Sequence, residues 1–287
     1  MKQKFQEKLM QYVFFISAIA SIFAVLLICL FLFMNGLPAI FKIGPLDFLL
    51  GQNWAPNDVP PSFGILPMIL GSIYVTLGTL IVGVPIGILT ALFLAFFCPE
   101  KLYKILQPLI QLLAGIPSVV YGFFGLVVLV PLMRTFFPGN GNHILSASVL
   151  LGIMILPTII TISEAALRAV PKSYYEGALA LGATHEESIF FLVLPAAKSG
   201  VFASIVLAIG RAIGETMAVI MVAGNQARMP NGIFRGVRTM TANIVIEMGY
   251  AADLHREALI ATGAVLFIFI LIINLVFGII KRKELKA

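Results

Sequence analysis

The chain has 287 residues, of which 60% are hydrophobic and only 11% charged, with a formal net charge of +6. A soluble domain carries about a quarter charged residues, so this composition, with a mean hydropathy of +1.04, excludes an ordinary soluble enzyme. It predicts an all-α membrane protein, and the basic excess does not imply nucleic acid because its Lys and Arg follow the membrane topology.

Taken in order, residues 1–11 are short and basic, and 12–33 is a first span long enough to cross a bilayer, with no small-x-small cleavage site after it. Residues 35–62 read as a polar external loop. An apolar run over 63–97 forms the second span; Pro67 is expected to start it and Pro85 to kink it, and Gly71, Gly78, Gly83 and Gly87 suit close helix approach. The third span is expected over 106–133, interrupted at Gly115-Ile116-Pro117, and the fourth over 144–167. A charged segment at 168–198 precedes the fifth span at 199–222, a long polar loop covers 223–256, and the sixth span covers 257–280. The organisation is therefore 1–62, an N-terminal segment with the first helix and external loop, and 63–287, a core of five helices. With the N-terminus inside, the inner segments hold twelve Lys and Arg, the outer ones six, and Arg211 lies within a span, which accounts for all 19. Both termini and the 171–198 loop are then cytoplasmic.

That loop reads as two short helices. Ser173 with Glu176, and Thr184 with Glu187, fit capping boxes. Gly182 between them suits a left-handed turn, and Pro195 is expected to end the second helix. Glu176, Ala178, Gly182, Leu194 and Pro195 stand at the spacing of the EAA loop of ABC importer permeases, which this stretch resembles; Gly177 replaces the family's first Ala. The resemblance implies that the loop docks into an ATPase subunit.

The fifth span carries Gly210-Arg211-Ala212-Ile213-Gly214-Glu215-Thr216. A charge at the centre of a span costs about 2.5–3.5 kcal/mol on insertion scales, so Arg211 needs a partner or a wet pathway. A spacing of four puts Arg211 and Glu215 on one helical face, with Glu215 expected to orient the guanidinium and offset its charge. Gly210 and Gly214 are expected to admit a neighbouring helix. A guanidinium fork suits oxyanions, so Arg211, Glu215 and Thr216 are the candidate substrate path; a packing salt bridge is the competing reading. This stretch, with Trp54, Pro56, the 63–67 and 115–122 runs, Asn243 and Glu247, is similar to phosphate ABC transporter permeases of the PstC type. The resemblance implies six transmembrane helices in the type I importer permease (MetI-like) fold, in the bacterial or archaeal cytoplasmic membrane. It implies a second, PstA-type permease, two ATPase subunits and an external phosphate-binding protein as partners. The implied substrate is inorganic phosphate. The same fold carrying sulfate or molybdate, and a passive anion channel, remain alternatives.

Arg228, Arg235, Arg238, Thr239 and Asn243 are candidate external contacts to an anion or a binding protein. Glu164 and Arg168 are expected to pair. His185-Glu186-Glu187 lacks the second His of a zinc helix, and no Cys/His cluster has metal spacing. No Gly-x4-Gly-Lys-Ser/Thr motif is present, so the chain is expected to bind no cofactor, with ATP used by partner subunits and no covalent chemistry of its own.

Overall fold

A computed structural model describes residues 2–284; Met1 and residues 285–287, with Lys286, lie outside the described residues, as do the side chains of residues 2–6 and 280–284, Lys2, Lys4, Lys281, Arg282 and Lys283 among them. Helix α1 (Lys2–Ile43) runs past the expected end of the first span and through Pro38, so the loop expected from residue 35 begins only at Gly44. A short helix α2 (Pro45–Leu50) and a small hairpin, β1 (Trp54–Ala55) against β2 (Ser62–Phe63), complete this end. Helix α3 (Leu66–Leu92) starts with Pro67 in its first turn, where its missing N–H costs nothing, and continues through a π-helical turn at Phe93–Phe97.

The expected third span is relocated. Helix α4 (Glu100–Gly115) is an amphipathic helix without buried residues, and the chain turns extended at Ile116 and Pro117. The membrane-length helix is Ser118–Phe136, formed by α5 (Ser118–Phe124), a π-helical turn at Gly125–Leu129 and α6 (Val130–Phe136). The polar residues of 100–111 explain the shift, since lipid would strand them.

Helix α7 (Ile144–Arg168) is the axis of the molecule, with two thirds of its apolar window buried, against none for α1. It packs along α3 and along α11 (Lys198–Gly214), while α1 lies on α14 (Asp253–Glu284). Apolar side chains gain little from leaving lipid for one another, so close contact must come from small residues. Gly78 shows this: a Cβ there would collide with Ser148 Oγ of α7. Among the described residues, five helices are long and apolar enough to cross a membrane; a sixth arises if His185–Ala196 and Lys198–Gly214, bent by 67°, form one span.

Candidate functional site

Two serines set the register of α7 against α11. Ser163 and Ser204 are fully buried with their hydroxyls 2.8 Å apart. Further along, Ala208 and Ala212 seat against Ile155 and Ile159. Between those two alanines in the chain stands Arg211, half-buried, whose Nη1 donates to Thr158 Oγ1 at 3.4 Å. Among the described residues, no carboxylate lies within ion-pair distance of Arg211. Gly210 and Gly214 flank it, and a Cβ on either would meet nothing within 4 Å. The two glycines therefore face open space, and no helix among the described residues of this chain fills it.

Glu215 is also corrected. The helix ends at Gly214, and Glu215 is extended, with φ −67° and ψ 134°. A spacing of four brings side chains together only within a continuous helix, so Glu215 does not orient Arg211. Its carboxylate instead accepts from the Thr216 and Ala218 amides, at 3.1 and 3.2 Å, at the start of α12 (Met217–Val222). Thr241 donates to the Glu215 carbonyl at 2.9 Å, and Thr216 donates to the Gly214 carbonyl at 3.2 Å. A broken span needs its freed backbone groups satisfied in this way.

A second charged centre lies beyond the break. Helix α13 (Met240–Glu247) ends in Glu247, which is buried. Its carboxylate accepts from Arg238 on one oxygen and from Trp54 Nε1 on the other at 2.8 Å, with His255 Nε2 also 2.8 Å away. Arg238 further donates to Asn243 Oδ1 and the Asn225 carbonyl, both at 3.0 Å. Thr239 caps α13 by accepting from the Ala242 amide at 3.2 Å. Arg238 and Thr239 are thus engaged in internal bonds, and Asn243 accepts through Oδ1 while its buried Nδ2 has no partner among the described residues. Arg228 and Arg235 are exposed, and Arg228 donates to Gln226. The part played by His255 escaped sequence reasoning; the signal was a lone indole, Trp54, in a polar segment, which needs an acceptor. Beside this centre, burial and then the Glu247 carboxylate push the Tyr250 phenol above its usual range.

At the opposite end, α8 (Lys172–Ala180) begins after Pro171, so Ser173 falls inside the first turn and makes no capping box with Glu176. The second box forms: the Thr184 amide donates to Glu187 Oε2 at 2.8 Å and the Glu187 amide to Thr184 Oγ1 at 3.2 Å. Gly182 takes φ +89° between the two helices. The second helix ends one residue past Pro195, close to where it was expected to end. α9 (His185–Ser188) passes through a π-helical turn at Ile189–Val193 into α10 (Leu194–Ala196), with Pro195 in its first turn, and the bend follows at Ala197. Tyr175 Oη sits 2.7 Å from His185 Nδ1 and ties the two loop helices. Ala178 is buried and Leu194 half-buried, whereas Glu176, Gly177, Gly182 and Pro195 are exposed and Leu181 at the tip is 91% exposed. The expected Glu164–Arg168 pair forms at 2.8 Å; Arg168 also donates to the Leu94 carbonyl at 2.8 Å and lies over the Tyr103 ring at 4.9 Å. Together with Lys172, Tyr175 and Glu176 it borders a cleft of about 460 Å³ between the loop and the ends of α3 and α7. No group of three or more His, Cys, Asp or Glu suited to a metal occurs among the described residues.

Residues 83–286 match the family described as "Binding-protein-dependent transport system inner membrane component". The chain is 41% identical over 266 residues to the "Probable ABC transporter permease protein YqgH" of Bacillus subtilis (strain 168), spanning 90% of this chain and 86% of that protein. It is 34% identical over 248 residues to the "Phosphate transport system permease protein PstC" of Mesorhizobium japonicum, spanning 79% and 75%. It is 32% identical over 275 residues to the "Probable phosphate transport system permease protein PstC" of Methanocaldococcus jannaschii, spanning 88% and 86%. Among solved structures, a bacterial alginate ABC transporter in complex with an alginate pentasaccharide-bound periplasmic protein is similar in fold, with a TM-score of 0.60, 18% identity, and 93% and 96% of the two chains covered. An inward-facing MetNI methionine ABC transporter gives a TM-score of 0.58 at 19% identity, over 77% and 94%.

Proposed function

Because the chain belongs to the binding-protein-dependent transport system inner membrane components, we propose that it is the permease of an ATP-driven importer of inorganic phosphate, forming half of the translocation pathway. The substrate reading rests on the relatives named as phosphate transport permeases. One observation carries the pathway reading: a half-buried arginine in the fifth span, without a carboxylate partner, beside two glycines that face open space. A desolvated guanidinium left with one long hydrogen bond is poised to take an anion's oxygens. Arg211 is the substrate contact in this reading, with Glu215 and Thr216 shaping the break next to it. Discontinuous spans recur where transporters bind substrate near the bilayer midplane.

The partners follow from the same reading. A second, PstA-type permease faces the open glycine side. Two ATPase subunits take the 171–198 loop, whose exposed Leu181 and rigid Thr184–Glu187 cap suit a docked element that transmits force. An external phosphate-binding protein delivers the anion, and the exposed Arg228 and Arg235 supply local positive potential for its acidic surface. Both termini are cytoplasmic. ATP is bound and hydrolysed by the partner subunits; the permease rocks between outward- and inward-open states.

The test is labelled-phosphate uptake by the full complex in vesicles. Arg211→Gln should lower phosphate moved per ATP hydrolysed by about a hundredfold, the scale of removing a charge-assisted contact in a dry site. Uptake at the wild-type ratio would remove Arg211 from the pathway.

A further inference from the structure

We propose that Thr158 is a second anion contact, a neutral hydroxyl that works beside Arg211 on the same tetrahedral oxyanion; this rests on the reading of Arg211 as the substrate contact. Position is the first support. The Ser163–Ser204 contact fixes the antiparallel register of α7 and α11, and Ala208 and Ala212 against Ile155 and Ile159 hold it. Five residues back along α7 and seven on along α11, Thr158 and Arg211 meet. Both are half-buried on packed helices rather than on loops. Thr158 lies ten residues from the Arg168 end of α7, about 15 Å at the helical rise, which is half of a hydrocarbon core about 30 Å thick.

Unused hydrogen-bonding capacity is the second support. The contact between Arg211 and Thr158, at 3.4 Å, exceeds the usual N–H···O range. It leaves most of the guanidinium's donors without a protein partner. The threonine is equally uncommitted. Thr79, Thr90 and Thr262 each donate back to the carbonyl four residues earlier, at 2.8, 2.7 and 2.9 Å. Thr158 makes no such bond to Met154; it accepts from Arg211. Its hydroxyl proton is therefore available.

The chemistry fits a tetrahedral oxyanion. The guanidinium fork takes two oxygens, and the hydroxyl donates to a third. When Arg211 turns onto the anion, the Thr158 lone pair that accepted from it is released and can accept a hydrogen bond from the P–OH of hydrogen phosphate. The hydroxyl can serve both roles without bringing a second charge into the membrane, which would cost far more than a neutral group.

The experiment uses the complete complex with its binding protein in proteoliposomes and reads labelled phosphate taken up per ATP hydrolysed. Thr158→Val keeps the side-chain shape and removes the hydroxyl; the ratio should fall about tenfold, the scale of a hydrogen bond to a charged group. Thr158→Ser restores the hydroxyl and should recover the ratio to within about twofold of wild type. Arg211→Gln is measured beside them. A wild-type ratio for Thr158→Val with an inactive Arg211→Gln overturns this inference and leaves the role of Arg211 standing. A wild-type ratio for Arg211→Gln overturns both. A serine variant as impaired as the valine variant assigns the effect to packing of the γ-methyl and also overturns the inference. Should the valine variant not assemble, Thr158→Ala, which cannot overpack, carries the same comparison against serine.

Discussion

Arg238 and Arg211 are both partly buried, and both come from Gly-Arg or Val-Arg stretches with a carboxylate downstream in the sequence. Around Arg238 the protein has filled the available geometry: Glu247, Asn243 and the Asn225 carbonyl accept from it, and Trp54 and His255 complete the same carboxylate. Around Arg211 it has supplied one neutral hydroxyl at 3.4 Å and left Glu215 turned away onto backbone amides. The difference teaches how to separate two uses of a buried charge. A saturated arginine stitches segments together, here the hairpin, α13 and the start of α14. An unsaturated one keeps its donors for something that comes and goes.

The comparison can be broken by removing the acids. Glu247→Ala leaves the Arg238 guanidinium buried without its charge partner and orphans the Trp54 indole, so it should cost about 3–5 kcal/mol of stability, read as a large drop in the thermal midpoint of the purified complex. Glu215→Ala removes only a helix cap and should cost about 1 kcal/mol by the same measurement. Equal losses would show that Glu215 does pair with Arg211 in the assembled membrane protein.

The smallest effect concerns a neutral group close to the saturated centre's end of the molecule. His143 is fully buried; its Nδ1 accepts from the Ser146 amide at 3.1 Å at the start of α7, and its Nε2 has no protein partner. Burial pushes this imidazole below its ordinary 6.5. An unfolded chain takes up that proton as pH falls through 6.5 while the folded one resists, so the stability it contributes is complete above 6.5 and is lost as pH falls towards the lowered native value. The thermal midpoint should therefore fall between pH 7.5 and 5.5, and the fall should be shallower in His143→Gln. An unchanged slope would place the titration elsewhere.

Much of the architecture was legible because membrane helices obey local constraints. Gly78 on α3 announced a close crossing and stands against Ser148. Thr184, Glu187 and Gly182 specified the turn of the two-helix loop, since a capping box and a left-handed residue need only neighbours in sequence. The same local reasoning misplaced Ser173, because the helix starts after Pro171, two residues too early for the serine to cap it.

What the sequence determined by itself was the class of molecule: apolar spans, the break at Ile116-Pro117, a two-helix loop, and an arginine that lipid would not tolerate without a purpose. Tertiary structure decided which charges meet. Arg211 and Glu215 are four apart, yet Glu215 sits in an extended break whose carbonyl is held by Thr241. Trp54 and Glu247 are far apart in the chain and share a 2.8 Å hydrogen bond. Sequence spacing fixes proximity only while the helix continues, and whether it continues at residue 215 depends on contacts made from another part of the chain.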